Sequence, residues 1–392
     1  MRILQVYPYF YPAWRYGGGT RVVYELSRYL ANRGHKVTVY TTDALDEKSR
    51  VKVSTHPHYV KGVKTYYFKN LSNYLASRYI LPLPMGLLPR IKEEIKEFEI
   101  IHLHGSRTFL NTVVHYYAKK YGIPYVLQPH GSLPRIIEKQ GLKKLYDWVW
   151  GNHILKDASK IIVVSKVEME QCKEMGIDDS NITIIPNGLD IKRFKNLPRY
   201  GQFREKHGIG KKHMILFLGR IHKIKGVDFL IKSFACLVKE IEDVVLVIAG
   251  PDDGYRKECE KLVKDLNLKD SVKFVGYVDN VVEAYQDADV LVYPAIYEIF
   301  GLVPFEAIMC GTPVIVTDDC GCGELVKEAG CGFLVKYGDV HDLKEKMKLL
   351  LQRPELGQQM VERGKKYILK NLVWDKVVRR VEKVYEDCIH NF

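Results

Sequence analysis

Short apolar stretches rich in β-branched residues alternate with longer amphipathic stretches along this chain. Arg2–Tyr7 is predicted as the first strand, and Gly19–Arg33 as the first helix because its apolar residues recur at helical spacing. Such alternation implies parallel sheets covered by helices on both faces. Ligands bind on these sheets in the crevice beyond the carboxyl ends of the strands. We therefore expect functional residues directly after predicted strands.

The alternation comes in two series, which predicts two doubly wound domains in a chain of 392 residues. The first series continues with strands at Lys36–Thr42, Ile100–His104, Tyr125–Gln128 and Lys160–Ser165. The second series has strands at His213–Leu218, Val244–Ala249, Val272–Val275, Asp289–Tyr293 and Thr312–Val316. Turn residues fill the stretch 186–200 between the series. We predict domains at 1–195 and 196–372, and a terminal helix within 373–392 that packs back on the first domain.

The formal net charge of +13 suits anionic partners such as nucleotide phosphates or an anionic membrane face, or serves solubility alone. No apolar stretch approaches the roughly 20 residues that a membrane span needs, and the first residues lack the features of a signal peptide. A cytoplasmic location is therefore expected. Basic and aromatic residues are not interleaved on one face, so no nucleic-acid partner is predicted. The eight cysteines do not suggest a disulfide framework.

A basic loop follows the first strand of the second series. It reads Gly219-Arg220-Ile221-His222-Lys223-Ile224-Lys225-Gly226 and precedes a predicted helix. A pyrophosphate is held by positive charge and by backbone donors at a helix start, so Arg220 and Lys225 are candidate phosphate ligands. The alternative is a solvated basic turn. The loop matches neither the P-loop nor the dinucleotide-binding glycine pattern.

Two carboxylates, Glu298 and Glu306, lie eight residues apart and flank a glycine-containing turn. Carboxylates accept hydrogen bonds from the hydroxyl groups of sugars and ribose. The backbone N–H groups of Gly301, Leu302 and Val303, at a predicted helix start, suit an anion. The alternative is that Glu298 caps the helix and Glu306 forms a structural ion pair.

A series of short motifs makes the chain resemble the family 4 retaining glycosyltransferases, which have the GT-B fold. Each of these motifs is a weak indication alone, but all of them in order are specific, and they extend over almost the whole chain. The motifs are Tyr16-Gly17-Gly18-Gly19, Pro129-His130-Gly131, Ile185-Pro186-Asn187-Gly188-Leu189-Asp190, Gly219-Arg220 with Lys225-Gly226, and Glu298 with Glu306 before Ala307–Ile315. The resemblance implies two Rossmann-like domains that face a central cleft.

The resemblance also implies roles for these residues. Arg220 and Lys225 match the residues that hold the donor diphosphate, and Glu306 matches the carboxylate that binds the ribose. Glu298 matches the carboxylate that contacts the donor sugar, and His130 matches the histidine near the reacting centre. The backbone of Gly301, Leu302 and Val303 meets sugar and phosphate. Gly18 and Gly19 match the loop that closes on phosphate or acceptor.

The implied reaction moves a hexose-type sugar from a nucleotide-diphosphate sugar, GDP-mannose or a UDP-sugar, with retention of the anomeric configuration. Arg220 and Lys225 would neutralise the leaving group electrostatically. We expect no divalent metal, because no Asp-x-Asp motif follows a strand in a suitable place, and no cofactor beside the nucleotide-sugar donor. Ile299 departs from the family, which usually has glycine there. The loop from Asp319 to Gly323 is also unusual.

The acceptor is predicted to be a glycan or a lipid-linked glycan. In the stretch 74–98, apolar residues precede a basic helix, which allows peripheral membrane association or an ordinary core with a solvated face. The apolar residues are Ile80, Leu81, Leu83, Met85, Leu87 and Leu88. Two alternatives to a transferase are a nucleotide-sugar 2-epimerase of the same fold and a non-catalytic nucleotide-sugar-binding protein.

Overall fold

The computed structural model describes residues 1–46, 48–52, 57–79, 82–134 and 140–392. It divides into two compact units, one of Met1–Gly188 with Trp374–Phe392 and one of Leu189–Val373. The chain enters and leaves the second unit side by side, because the Leu189 N–H donates to the carbonyl oxygen of Leu372 over 2.7 Å. This pairing explains why the division follows Gly188 and not residue 195, where we had expected it.

The first unit is built on a sheet of nine described strands in the order β3-β4-β2-β1-β6-β7-β8-β9, with β5 paired to β4. All its pairings are parallel except those of β3 and β5 with β4. The strands are β1 Arg2–Val6, β2 Lys36–Thr42, β3 His58–Val60, β4 Val63–Asn70, β5 Pro84–Met85, β6 Ile100–His104, β7 Tyr125–Gln128, β8 Lys160–Val163 and β9 Ile182–Ile184.

Seven α-helices in the described part of residues 1–188 connect the strands of this unit and cover its sheet. They are α1 Gly18–Asn32, α2 Asn73–Tyr79, α3 Leu87–Glu94, α4 Phe109–Tyr121, α5 Gln140–Tyr146, α6 Asn152–Lys156 and α7 Lys166–Glu174. A π-helical turn, Asp147–Gly151, joins α5 to α6. The central strands are buried along nearly their whole length, as expected of parallel strands covered on both faces.

The second unit has a six-stranded, all-parallel sheet in the order β12-β11-β10-β13-β14-β15. Its strands are β10 His213–Leu218, β11 Val244–Ala249, β12 Val272–Gly276, β13 Val290–Tyr293, β14 Val314–Thr317 and β15 Phe333–Val335. Its helices are α8 Gln202–His207, α9 Val227–Leu237, α10 Arg256–Asp265, α11 Val281–Asp287, α12 Val303–Met309, α13 Gly321–Ala329, α14 Val340–Gln352 and α15 Pro354–Asn371.

The last helix, α16 Trp374–His390, belongs to the first unit by its contacts. Its apolar stripe enters one of the hydrophobic cores of that unit, together with residues of α1 and β1. Glu382 on this helix accepts hydrogen bonds from Arg33 over 2.5 Å and pairs with His35 over 2.8 Å. The helix therefore closes one face of the first sheet.

One predicted strand is displaced. The sequence placed it at Thr312–Val316, and the structure has it at Val314–Thr317. Proline has no N–H to donate to a neighbouring strand, so Pro313 delays the start of regular pairing.

The described residues of the stretch 74–98 are divided between core and surface. Leu87, Ile91 and Ile95 are buried in the hydrophobic core of the first unit, whereas Met85 and Leu88 are exposed. Ile80 and Leu81 lie outside the described residues. Leu83 is half-buried. No helix within the described ranges is long and apolar enough to cross a membrane.

Candidate functional site

Lys225 and Glu298 meet at the carboxyl ends of β10 and β13. Lys225 ends a 3-10 turn after β10, and its Nζ lies 2.7 Å from Glu298 Oε2 and 3.1 Å from the Tyr293 hydroxyl. The turn closes on Gly226, whose φ of +67° favours glycine. A Cβ on Gly226 would lie 2.0 Å from the carbonyl oxygen of Pro294. The glycine thus lets the Lys225 turn pack against the chain that follows β13.

The Glu298 carboxylate is held from three sides. Besides Lys225, the Tyr293 hydroxyl donates to Oε2 over 2.7 Å and the Phe300 N–H donates to Oε1 over 3.4 Å. Burial acts to raise the pKa of the Glu298 carboxyl, but the Lys225 ammonium and the hydrogen bonds outweigh it, so the pKa is lowered. Burial and the adjacent carboxylate raise the pKa of Tyr293. Glu298 is therefore an ionised acceptor with restricted orientation.

Glu306 lies deeper, on α12. Its Oε2 accepts from the Tyr285 hydroxyl over 2.9 Å, and its Oε1 lies 3.3 Å from Nη1 of Arg193. The side chain is almost fully buried, and Tyr285 is completely buried. The ion pair that we had kept as an alternative for Glu306 is thus present. It leaves the carboxylate oriented by a tyrosine and an arginine that the sequence patterns did not single out.

Arg220 occupies a different environment from Lys225. Its guanidinium Nη1 lies 2.5 Å from Oδ2 of Asp253, and both side chains are largely exposed. Exposed ion pairs contribute little to stability, so the guanidinium can exchange this partner for an anionic ligand at small cost. The Arg220 guanidinium is therefore available to bind an anion, whereas the Lys225 ammonium is held by Glu298 and Tyr293.

The turn after Glu298 brings backbone close to the site. Gly301 has φ +68°, and a Cβ there would lie 3.0 Å from Cγ of Glu298. Leu302 and Val303 are half-buried at the start of α12, where the first N–H groups have no partner within the helix. Ile299, the departure from the family pattern, is buried.

The unusual loop 319–323 packs directly on this turn. The Gly321 N–H donates to the carbonyl oxygen of Glu298 over 2.8 Å, and a Cβ on Gly321 would lie 1.6 Å from the carbonyl oxygen of Ile299. The sulfur atoms of Cys320 and Cys322 are both buried and lie 3.2 Å apart. This close approach requires the glycine at position 321 and so accounts for one residue of a loop that the sequence alone left unexplained.

In the first unit, the glycine loop and the histidines converge on Tyr7. A Cβ on Gly19 would lie 2.4 Å from the Tyr7 hydroxyl, so a larger residue there would displace the Tyr7 ring, whereas a Cβ on Gly18 would meet open space. The Tyr7 ring packs edge-on against His130, with centroids 6.2 Å apart. Gly18 and Gly19 begin α1. The structure thus groups Gly19 with His130 through an aromatic side chain.

His130 follows β7 with a φ of +53°, a backbone conformation that is uncommon outside glycine. Removal from bulk water lowers its pKa to about 4, so the imidazole is neutral near pH 7. The next residue, Gly131, donates its N–H to Oε1 of Glu168 over 2.5 Å, and Val164 donates to Oε2 over 2.9 Å. Burial raises the pKa of Glu168 to about 7. This buried carboxyl, which the sequence analysis missed, anchors the loop that carries His130.

Across the described ranges, no three His, Cys, Asp or Glu side chains are grouped so that they could hold a metal ion. Sequence spacing also missed Tyr285 and Tyr293. Each is an aromatic residue in an apolar stretch, so the sequence predicts a core residue, and only the structure shows which group its hydroxyl contacts.

The fold and these strand-end clusters define the class: two doubly wound α/β units of the GT-B type. Residues 200–367 match the family of glycosyl transferases group 1, and residues 16–193 match glycosyltransferase family 4. An uncharacterized glycosyltransferase of Methanocaldococcus jannaschii is 30% identical over 385 residues, which are 97% of this chain and 96% of that protein. The chain therefore belongs to the family 4 glycosyltransferases and is a transferase.

Two further similarities extend over nearly the whole chain. The N-acetyl-alpha-D-glucosaminyl L-malate synthase of Bacillus anthracis is 25% identical over 382 residues, covering 96% of this chain and 95% of that protein. The crystal structure of Anabaena HepE in complex with UDP superposes with a TM-score of 0.79 at 18% identity, covering 99% of this chain and 100% of that one. At this identity the second similarity concerns the fold alone.

Proposed function

We propose that this glycosyltransferase moves a hexose-type sugar from a nucleotide-diphosphate sugar to a glycan or lipid-linked acceptor, with retention and without a metal. The proposal that the second unit binds the nucleotide-sugar donor rests on one observation. Lys225, Glu298 and the half-buried start of α12 are grouped at the strand ends of that unit. Cations, an ionised carboxylate and helix-start N–H groups together suit a sugar diphosphate.

Each of the charged side chains then has a proposed role in binding the donor. Arg220 leaves Asp253 to meet the diphosphate, and Lys225 adds a fixed positive charge, so the leaving group is neutralised without a proton or a metal. Glu306, oriented by Tyr285, accepts from the ribose hydroxyls. Glu298 accepts from a hydroxyl of the donor sugar. No group is assigned as a nucleophile, which is consistent with attack guided by the phosphate on the face that it leaves.

His130 is proposed to face the reacting sugar, with Gly18 and Gly19 close to phosphate or acceptor. A neutral imidazole at pH 7 can accept or donate one hydrogen bond without adding charge to the site. UDP and GDP remain equal proposals for the donor. The HepE structure makes UDP the first nucleotide to test.

A lipid-linked acceptor is supported by a surface on α5, the π-helical turn and α6. Trp148 is 75% exposed and Leu145 56% exposed, and Trp150 is also exposed. Lys144 is exposed beside them, whereas the Asp147 carboxylate is buried and bonded to Arg107 over 2.7 and 2.8 Å. Exposed tryptophan beside lysine suits the interface of an anionic membrane. We propose this surface, and not the stretch 74–98, as the membrane contact.

A vesicle experiment tests that surface. Trp148→Ser should reduce co-sedimentation with phosphatidylglycerol vesicles at low salt several-fold, whereas Tyr59→Ser, which removes a similarly exposed ring from β3, should not. No binding by the unmodified protein would remove the membrane contact and leave the donor proposal intact.

A thermal-shift screen against UDP- and GDP-sugars, with and without EDTA, tests whether the protein binds a nucleotide-sugar donor without a metal. A ligand at about 100 times its dissociation constant adds about 2.7 kcal/mol of stability. We expect stabilisation by one nucleotide series that EDTA does not change. No shift with any nucleotide sugar would refute the donor site, and a shift abolished by EDTA would refute metal independence.

Glu298→Gln tests the role of the carboxylate once a donor is known. We expect kcat to fall by about 10²-fold or more, because the amide keeps the shape but not the charge. Glu355→Gln, at an exposed position of α15, is the matched control. Unchanged turnover in Glu298→Gln would exclude the proposed role. The anomeric configuration of the product, read by NMR, tests retention separately.

A further inference from the structure

Four buried polar side chains of the first unit form a continuous line of hydrogen bonds that ends at His130. His130 Nε2 lies 2.9 Å from His104 Nδ1, and His104 Nε2 lies 2.6 Å from Gln5 Oε1. Gln5 Nε2 donates to the Tyr385 hydroxyl over 3.0 Å. That hydroxyl lies 2.6 Å from His102 Nδ1. The line therefore joins the C-terminal helix α16 to the histidine that we propose faces the substrate.

The sheet builds this line by register. Gln5 of β1 is the register partner of His102 on β6, and His104 lies two residues further along the same strand. Because side chains alternate between faces along a strand, His102 and His104 share one face. Tyr385 reaches them from α16, which packs on this sheet. Nothing in a local motif specifies the arrangement.

The line lies in the buried interior of the first unit. Gln5, His102, His104 and Tyr385 are completely buried. Burial, followed by the neighbouring imidazoles, lowers the pKa of His104 well below its usual range, so this ring is neutral. His102 Nε2 has no hydrogen-bond partner among the described residues. Apolar side chains would fill the same space without the cost of desolvating polar groups, which argues for a role beyond packing.

With the Gln5 amide oriented so that Oε1 faces His104 and Nε2 faces Tyr385, the donors and acceptors fix where each proton lies. Gln5 Oε1 can only accept, so His104 Nε2 carries a proton and donates it. A neutral imidazole has a single N–H, so His104 Nδ1 is an acceptor. His130 Nε2 must then donate to it. This leaves His130 Nδ1 as the free acceptor of that ring.

We propose that Gln5, His104 and Tyr385 are positioning residues that hold His130 in the tautomer with its proton on Nε2. The amide of Gln5 sets the direction of the line, because its Nε2 donates to the Tyr385 hydroxyl and its Oε1 accepts from His104 Nε2. The face that His130 offers to a substrate is then a hydrogen-bond acceptor. The use of that acceptor rests on the proposed function, whereas the tautomer itself does not.

NMR of protein labelled with ¹⁵N-histidine tests the tautomer without any substrate. At pH 7 we expect His130 and His104 each to show one predominant tautomer, with the proton on Nε2, and a scalar coupling across the hydrogen bond between His130 and His104. A predominant proton on His130 Nδ1, or comparable populations of both tautomers in the unmodified protein, would overturn the proposal. Neither result depends on whether the protein binds a nucleotide sugar.

Tyr385→Phe tests the positioning role. It removes the acceptor of the Gln5 amide, and we expect the minor tautomer of His130 to increase about fivefold, the effect of losing one hydrogen bond. Tyr40→Phe is the control, because Tyr40 is equally buried but bonds Glu94 outside the line. An unchanged tautomer ratio in Tyr385→Phe, or an equal change in Tyr40→Phe, would refute the role.

Gln5→Met, which removes both polar atoms with little change of shape, serves if Tyr385→Phe does not fold. We again expect the minor tautomer of His130 to increase. An unchanged ratio in this variant would equally refute the proposal.

Discussion

Lys225→Met would remove the cation that pairs with the Glu298 carboxylate while keeping most of the side-chain volume. The two side chains are 10% and 20% exposed, and their charged atoms are 2.7 Å apart. Removing one partner of a fully buried pair costs about 3–5 kcal/mol. Because the pair is slightly exposed and Tyr293 still donates to Glu298, we expect a loss of about 2–4 kcal/mol in the free energy of unfolding.

The stability that Lys225→Met loses should depend on pH. In the unmodified protein the lowered pKa of Glu298 contributes stability that is present above the unfolded pKa and is lost as pH falls through the folded pKa. Without Lys225, burial dominates and raises the pKa of Glu298, so the ionised carboxyl destabilises the variant at high pH. Protonation relieves this as pH falls. The difference in stability between the two proteins is therefore largest near about pH 8 and shrinks toward about pH 4.5.

Calorimetry is the suitable assay. The four tryptophans, Trp14, Trp148, Trp150 and Trp374, all lie in the first unit, so fluorescence does not report on the unit that carries Lys225. For a unit of this size a loss of 2–4 kcal/mol corresponds to a fall of about 5–15 °C in the Tm of its transition. Lys232→Met is the control, because Lys232 is 52% exposed and its pair with Asp228 spans 3.4 Å.

Two results would contradict this reasoning. One is a Tm difference between Lys225→Met and the unmodified protein that stays constant between about pH 8 and about pH 5. The other is a loss in Lys225→Met no larger than the few tenths of a kcal/mol expected for the exposed pair of Lys232.

Two further predictions concern the same unit. Gly226→Ala should destabilise it by about 3–5 kcal/mol, because the new Cβ meets Pro294 in a left-handed backbone conformation. Gly254→Ala, also at positive φ but with open space around the Cβ, should cost only about 1 kcal/mol, and urea unfolding followed by circular dichroism compares the two. Tyr285→Phe should cost about 1–3 kcal/mol by calorimetry, because Glu306 loses a buried donor. Equal losses in the two glycine variants, or none in Tyr285→Phe, would contradict these expectations.

The sequence by itself determined the fold class and most of the strands. Lys36–Thr42, Tyr125–Gln128 and Val244–Ala249 agree with the structure residue for residue. These strands are buried on both faces, so their composition is a local property that survives in the sequence. The order of the motifs along the chain was likewise sufficient to indicate the family.

Residues after predicted strands could also be named as candidates, because parallel sheets place their ligands there. Lys225 and Glu298 are examples, and the structure brings them into contact. Five of the described strands were missed: β3, β4, β5, β9 and β15. Of these, β3 and β5 are defined by antiparallel pairing with β4, which no local periodicity records.

Only the tertiary structure decided which groups orient the candidates. Glu306 depends on Arg193, 113 positions earlier in the chain, and His104 depends on Gln5, 99 positions earlier. Tyr385 joins Gln5 across 380 positions. Hydrogen bonds between side chains that are distant in sequence depend on register and on helix packing, and a residue's type fixes neither. The sequence therefore named residues that could do chemistry, and the packing of the sheets fixed the protons, partners and charges with which they do it.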